Sequence, residues 1–380
     1  MEEKITFSVS SGNLLYNLQK VSKSILNKSV IPVYGNILFD VKGGVLELTG
    51  SSTEIQIETH VNLLMHDGDM RFCVDRSIID VLKTLPEQPI EFEVVKTEEE
   101  KGFIKIKIEL RHSTGNIIIP GEDAFGYDKM KEIKGKSFEI PIEKLSRGLL
   151  MTKKFAGNDP QRPVSNSVYF DLLGDGAVFV ATDNFCVSRF KDKSIKCNDC
   201  ESFILGIPSV TILLQLLIGF AGVDVHISKS KTNVSFDFGE IKMSCRLTEG
   251  RYPNYNSVFP ENNDIEMKID SGRFSAIISR VLISANQQTG SLKLNCTNDK
   301  SILSTKDEFI GKSAKEILPE LCSREITIGF GGHSLQNILS VISGIAVISF
   351  CSPDRAILIK PEKDEEDCEL TLLVMPMRVE

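Results

Sequence analysis

Apolar positions in this chain recur with two periods. A spacing of three to four places Leu14, Leu18, Val21 and Ile25 on one helical face. The same spacing groups Ile142, Leu145, Leu149 and Ala156, and again Phe274, Ile277, Val281 and Ala285. Leu14, Leu145 and Phe274 lie about 130 positions apart, so the helix pattern repeats at the scale of a domain. After each helix comes an alternating strand pattern that ends in small polar residues: VLELTGSSTE (45–54), AVFVATDNF (177–185) and SLKLNCTND (291–299). A second helix pattern follows in each third, at 74–85, 208–220 and 333–342. Strict alternation fills much of the rest, as in FIKIKIEL (103–110), NVSFDFGEIKMSCRL (233–247) and CELTLLVMP (368–376), and predicts half-buried antiparallel strands. Each third reads as two helices laid on an antiparallel sheet, an α+β architecture. Turn-prone segments at 134–136 and 261–264 divide the chain into domains 1–134, 135–262 and 263–380.

The polar faces of the first helices change this picture. Asn13, Asn17, Lys20, Ser24 and Lys28 follow helical spacing in the first third; Lys144, Arg147 and Lys154 do so in the second, and Arg273, Arg280, Ser284 and Gln287 in the third. None of these stripes contains an acid. The chain of 380 residues nevertheless has a net charge of −8, which excludes a uniformly basic coat and implies a sorted charge distribution. With 41% hydrophobic and 25% charged residues it reads as globular. The start, MEEKITFSVSSG, lacks the basic and apolar regions of a signal peptide. The longest apolar run, Ile212 to Val223, is interrupted by Gln215 and falls short of the ~20 residues that span a bilayer. The nine scattered cysteines fit reduced thiols, and the expected compartment is cytoplasmic.

Four segments together resemble the bacterial sliding clamp family, the beta subunit of DNA polymerase III. They are IPVYGNILFDVKGGVLELTGSSTEIQIE (31–58), VYFDLLGDGAVFVATDNFCVSRF (168–190), EGRYPNYNSVFP (249–260) and VMPMR (374–378), in the family's order and spacing. The resemblance implies a DNA-clamp fold of three similar domains, closed head to tail as a homodimeric ring with helices lining the hole and sheets outside. It implies sequence-independent contact with duplex DNA through phosphates, no catalysis and no cofactor. Carried over residue by residue, the DNA-facing cations are Lys20, Lys23, Lys28, Lys144, Arg147, Lys153, Lys154, Arg162, Arg273 and Arg280. The partner pocket, an apolar seat for short peptides of polymerase, clamp loader and repair proteins, is built from Thr182, Phe185, Val187, Pro253, Val258, Val374, Met375, Pro376 and Met377. Positional matching puts Val81 and Ile117 on one side of the subunit interface and Leu282 and Ile283 on the other, with the strand NIIIP (116–120) needing a partner to cover its edge. Where the family often has Gly-His-Arg-Leu after the ATD segment, this chain has Asn184, Phe185, Cys186 and Val187, which implies a shifted peptide preference.

Two other readings stay open. Cys197 and Cys200 form a single CxxC that suits a thiol or metal enzyme, although no second pair or His ligand spacing accompanies it. A clamp-like interaction protein that no longer encircles DNA is the other. Thr182-Asp183 offers a carboxylate without a nucleophile in sequence reach, and a turn closed by Asp183 is the plainer expectation. No P-loop, dinucleotide fingerprint or nucleophile elbow is present.

Overall fold

A computed structural model describes residues 2–98, 104–196 and 201–378, with Leu173 and Gly174 described by their backbone alone. The first third runs β1 (Glu2–Ser10), α1 (Ser11–Val21), β2 (Ile37–Lys42), β3 (Val45–Ser51), β4 (Ile55–Asn62), β5 (Met65–Asp67), β6 (Met70–Val74), α2 (Ile78–Lys83), β7 (Pro89–Glu98), β8 (Ile104–His112) and β9 (Gly115–Asp123). The second runs β10 (Lys136–Pro141), α3 (Ile142–Thr152), β11 (Ser167–Gly174), β12 (Gly176–Thr182), β13 (Cys186–Asp192), β14 (Phe203–Gly206), α4 (Ile207–Leu217), β15 (Asp224–Lys229), β16 (Asn233–Phe238) and β17 (Ile241–Arg246). The third runs β18 (Ile265–Asp270), α5 (Ser271–Leu282), β19 (Ser291–Cys296), β20 (Ser301–Asp307), β21 (Lys312–Leu318), β22 (Ile326–Gly331), α6 (Gly332–Leu339), β23 (Ile345–Phe350), β24 (Ile357–Pro361) and β25 (Cys368–Val374).

In each third a strand turns directly into the first helix. Two of these starts are capped by the residue ending the strand: Ser10 Oγ accepts from the Asn13 N–H at 3.1 Å, and Asp270 Oδ1 accepts from the Arg273 N–H at 2.8 Å. The predicted apolar faces are the buried ones. Leu14, Leu18 and Val21 of α1, Ile142, Leu145 and Leu149 of α3, and Phe274, Ile277 and Val281 of α5 all lie in the core. Burial of each such side chain contributes roughly 1.5–3 kcal/mol, which outweighs any one surface charge. Helix and strand approach closely where glycine permits it. A Cβ on Gly50 of β3 would lie 2.1 Å from the Val21 carbonyl oxygen, and one on Gly148 of α3 would lie 2.5 Å from the Phe179 ring of β12.

Local differences from the sequence reading have local causes. The pattern at 74–85 is helical only over 78–83, because Val74 ends β6 and pairs with Ile37. At 156 the α3 pattern has passed through a 3-10 turn, so Phe155 fills the core and Ala156 is half-buried.

The chain packs as two compact units, residues 1–142 with 211–247, and residues 143–210 with 248–380. The first holds a 13-stranded sheet ordered β10-β15-β16-β17-β4-β3-β2-β6-β9-β8-β7-β1-β5. The second holds an eight-stranded sheet, β14-β11-β12-β13-β25-β24-β23-β18, and a four-stranded one, β21-β20-β19-β22. The strands of the middle third are thereby shared. β17 joins β4 with Ser244 opposite Gln56, and β13 joins β25 with Cys186 opposite Val374. The sheets run across the boundaries expected at 134–136 and 261–264.

Candidate nucleic-acid and peptide-binding surfaces

On α1 the polar stripe is largely built into the fold. Asn17 is buried, donating to the Asn13 carbonyl at 3.0 Å and accepting from Thr59 Oγ1 at 2.9 Å; Ser24 is buried and bonds the Val21 carbonyl. Lys20 is only 9% exposed, and its ammonium sits 3.8 Å from the Tyr16 ring centroid and 4.4 Å from that of Phe220. Lys20, expected as a phosphate-facing cation, thus has its ammonium packed between two rings. Lys23 and Lys28 are exposed, and Lys23 donates to Gln215 Oε1 at 3.1 Å.

In the second unit the arginines meet acids that no helix stripe contains. Arg280 of α5 is held bidentate by Glu316 of β21, with both N···O distances 2.6 Å. Hydrogen bonding from Arg280 holds the Glu316 carboxyl below its ordinary range. Arg273 lies 3.7 Å from Glu320, Arg147 pairs with Glu365 and rests on the Phe190 ring, and Arg162 lies 3.6 Å from Asp159. The lysines differ. Lys144 and Lys154 donate to the hydroxyls of Ser194 and Ser340, at 2.7 and 3.1 Å, and Lys153 is half-exposed. The stripes themselves contain no acid, but each of these arginines pairs with one brought in from outside them.

The apolar surface also lies in the second unit. Asp183 Oδ1 accepts from the N–H groups of Phe185 and Cys186 at 2.8 and 2.6 Å, and Thr182 Oγ1 donates to the Cys186 carbonyl at 2.7 Å. This is the turn closed by Asp183 that the sequence suggested; Asn184 takes φ 75° within it. The turn leaves Phe185 69% exposed. The Phe185 carbonyl accepts from the Met375 N–H at 2.8 Å, tying the turn to the end of β25, and the Met377 N–H donates to the Gly329 carbonyl at 2.8 Å. Beneath them Val180, Val187, Ile204, Tyr252, Tyr255 and Leu373 form one buried cluster, with Tyr169 stacked on Tyr252 at 4.7 Å. Phe185, Pro253, Val258 and Met375 are exposed, and Pro376 and Met377 are half-buried. Thr182, Val187 and Val374, also expected around the pocket, are buried. Cys186 is also enclosed, and burial pushes its thiol up to about 12.

Comparison with known proteins agrees along the whole chain. Residues 5–105, 139–254 and 256–378 match the N-terminal, central and C-terminal domains of the DNA polymerase III beta subunit. The chain belongs to the DNA polymerase III beta subunit family. A beta sliding clamp of Staphylococcus aureus is 23% identical over 386 residues, covering 98% of this chain and 99% of that one. Among solved structures, a sliding clamp (DNA polymerase III subunit beta) from Pseudomonas aeruginosa bound to griselimycin superposes with TM-score 0.89 at 22% identity, covering 99% of this chain and 100% of that one. A DNA polymerase sliding clamp from Bacillus subtilis gives TM-score 0.89 at 20% identity with both chains fully covered.

For this beta-subunit chain the strand edges are instructive. β9 pairs with β8 from Gly115 to Gly121, but with β6 only over Gly121 to Asp123. Among the described residues β21 ends its sheet, paired with β20. On β9, Ile117 shares the inward face with buried Ile119 and is half-buried, whereas Ile118 is 63% exposed. On α5, Leu282 points inward to within 2.6 Å of where a Cβ on Gly332 would lie, whereas Ile283 is 74% exposed. Val81 is half-buried on α2. Ile118 in place of Ile117, and Ile283 without Leu282, are the outward residues. Strand alternation around Ile119 was the signal that could have separated Ile117 from Ile118. Cys197 and Cys200 lie outside the described residues. Among the described residues no group of His, Cys, Asp and Glu is arranged to hold a metal, and no helix is long and apolar enough to cross a membrane.

Proposed function

We propose that this chain is a DNA sliding clamp that confers processivity on a replicative polymerase and is itself non-catalytic. The observation that carries the reading is the match of all three beta-subunit domains, in order, over residues 5–378. The working form is a homodimer closed around duplex DNA in the cytoplasm. Its subunit contact joins the open flank of β9, with Ile118, to the end strand β21 of a second copy, with Ile283 beside it; Ile117, Val81 and Leu282 back these surfaces. Lys23, Lys28, Lys144, Lys153 and Lys154 make the first phosphate contacts. Arg147, Arg162, Arg273 and Arg280 join them by leaving their carboxylate partners, since exposed ion pairs are weak beside a polyanion. Polymerase, clamp loader and repair proteins dock short peptides at Phe185, Val258 and Met375, with Pro253, Pro376 and Met377 at the margin.

A second reading has one observation in its favour. Arginines engaged by Glu316, Glu320 and Glu365 suit a clamp-like interaction protein that does not encircle DNA. Negative-stain class averages of the purified protein separate the two. Closed rings with an open centre, together with salt-sensitive retention on circular DNA that linearisation abolishes, are the expected result. Solid or monomeric particles at micromolar concentration would overturn encirclement and leave the second reading.

A further inference from the structure

Cys296 ends β19 and is buried, while Cys322, in the connection between β21 and β22, is partly exposed. Their sulfurs lie 2.7 Å apart, with Cys322 Sγ donating to Cys296 Sγ. That hydrogen bond lowers the Cys296 thiol below its ordinary range and raises that of Cys322, so Cys296 is the more readily ionised of the two. Ser301 stands opposite Cys296 in the β19–β20 register, and its buried hydroxyl has no oxygen or nitrogen partner among the described residues. Such a hydroxyl is a donor available to the Cys296 sulfur and favours its ionised form. Cys73 and Cys186 show the contrast, because burial without a second thiol as donor pushes each up to about 12. The segment bearing Cys322 is held by its neighbours as well: the Ser323 N–H donates to the Glu266 carbonyl at 2.8 Å, and Arg324 pairs with Asp264.

We propose that Cys296 and Cys322 are a peroxide-sensitive dithiol that closes reversibly to a disulfide, stapling the β20–β21 hairpin and its following connection to the end of β19. In the first step the Cys296 thiolate attacks one oxygen of hydrogen peroxide and the O–O bond breaks. Hydroxide leaves, takes a proton and becomes water, and Cys296 is a sulfenic acid. The Cys322 sulfur then attacks Cys296 Sγ; the S–S bond forms, the S–O bond breaks, and the hydroxyl leaves with the Cys322 proton as a second water. Two thiols lose two electrons and one peroxide gains them. A dithiol reductant reverses the step by exchange, as suits a reducing cytoplasm in which disulfides are transient. The closed loop encloses β21, whose Glu316 holds Arg280, so oxidation acts on a strand with a role in the proposed ring.

The test exposes the native full chain to a few-fold molar excess of hydrogen peroxide, quenches with acid, alkylates, and maps peptides by mass. The expected result is a species two hydrogens lighter, with the Cys296 and Cys322 peptides linked, the remaining cysteines alkylated, and full reversal by dithiothreitol. Cys322→Ser is expected to abolish the link and leave a dimedone-reactive sulfenic acid at Cys296. Cys322→Ala, checked for native far-UV circular dichroism, gives the same readout if the serine variant folds poorly. Cys296 and Cys322 still alkylated after excess peroxide, or oxidation taken up by Cys197 and Cys200 instead, would overturn the proposal.

Discussion

Helices α1 and α5 start from the same plan and end with opposite electrostatics. Each follows a strand, is capped by that strand's last residue and buries an apolar face at the same spacing. On α1 the cation nearest the core, Lys20, is folded over the Tyr16 and Phe220 rings. On α5 the corresponding positive charge, Arg280, stays outside and is neutralised by Glu316. A cation on a helix stripe is thus a different object when its neighbour is an aromatic ring, a carboxylate or water, and the stripe alone does not distinguish them.

The apolar seat is the shared half of this comparison and should give the largest effects. Leu18→Ala and Phe274→Ala are each expected to cost about 2–5 kcal/mol, measured from urea unfolding midpoints. If either helix tolerated its truncation, the common plan would fail. The cations should then diverge. Lys20→Met should lower stability by ~1 kcal/mol through the lost ring contact and leave the salt dependence of DNA binding unchanged. Lys23→Met should do the reverse, reducing the slope of log K against log salt by about 0.9 if its phosphate contact is made. An equal loss of slope at Lys20 would return it to the DNA-facing set.

Glu316→Gln tests the masking of Arg280 and should raise DNA affinity several-fold at low salt, with a steeper salt dependence, while Arg280→Ala should remove that gain. Unchanged binding in Glu316→Gln would mean that the carboxylate and phosphate do not compete. The smallest expected effect is a titration shift. Arg280 favours the ionised form of Glu316, so the midpoint of its side-chain carboxyl, followed by carbon NMR, should lie below that of an ordinary glutamate. The stabilisation is therefore complete above the ordinary glutamate range and is lost as pH falls through the lowered value. Arg280→Ala should move the midpoint back up.

Much of the fold was legible because its signals are local. The spacing of Leu14, Leu18 and Val21, the alternation in FIKIKIEL, and the recurrence of both at a domain-sized interval needed no knowledge of distant residues. The turn at Asp183 was legible for the same reason, since its bonds to Phe185 and Cys186 span two and three residues. The site was read less completely. The segments expected to form the peptide surface meet at one place, where Val187 and Val374 face a cluster that Tyr252 and Leu373 complete. On β9 the more exposed residue is Ile118, one position from the expected Ile117, and one position inverts a side chain because strand periodicity is two.

Helix faces, strand alternation, threefold recurrence and family membership were contained in the order of residues, because periods of 3.6 and 2 and ordered motifs are properties of the chain itself. The division of the middle third's strands between two sheets, the burial of Lys20, the neutralisation of Arg280 and the meeting of Cys296 with Cys322 were not. Each depends on a partner remote in sequence: Phe220 for Lys20, Glu316 36 residues beyond Arg280, and Cys322 26 residues beyond Cys296. Charge, solvation and thiol reactivity are set by whatever atoms lie within a few ångströms, and folding chooses those neighbours from the whole chain.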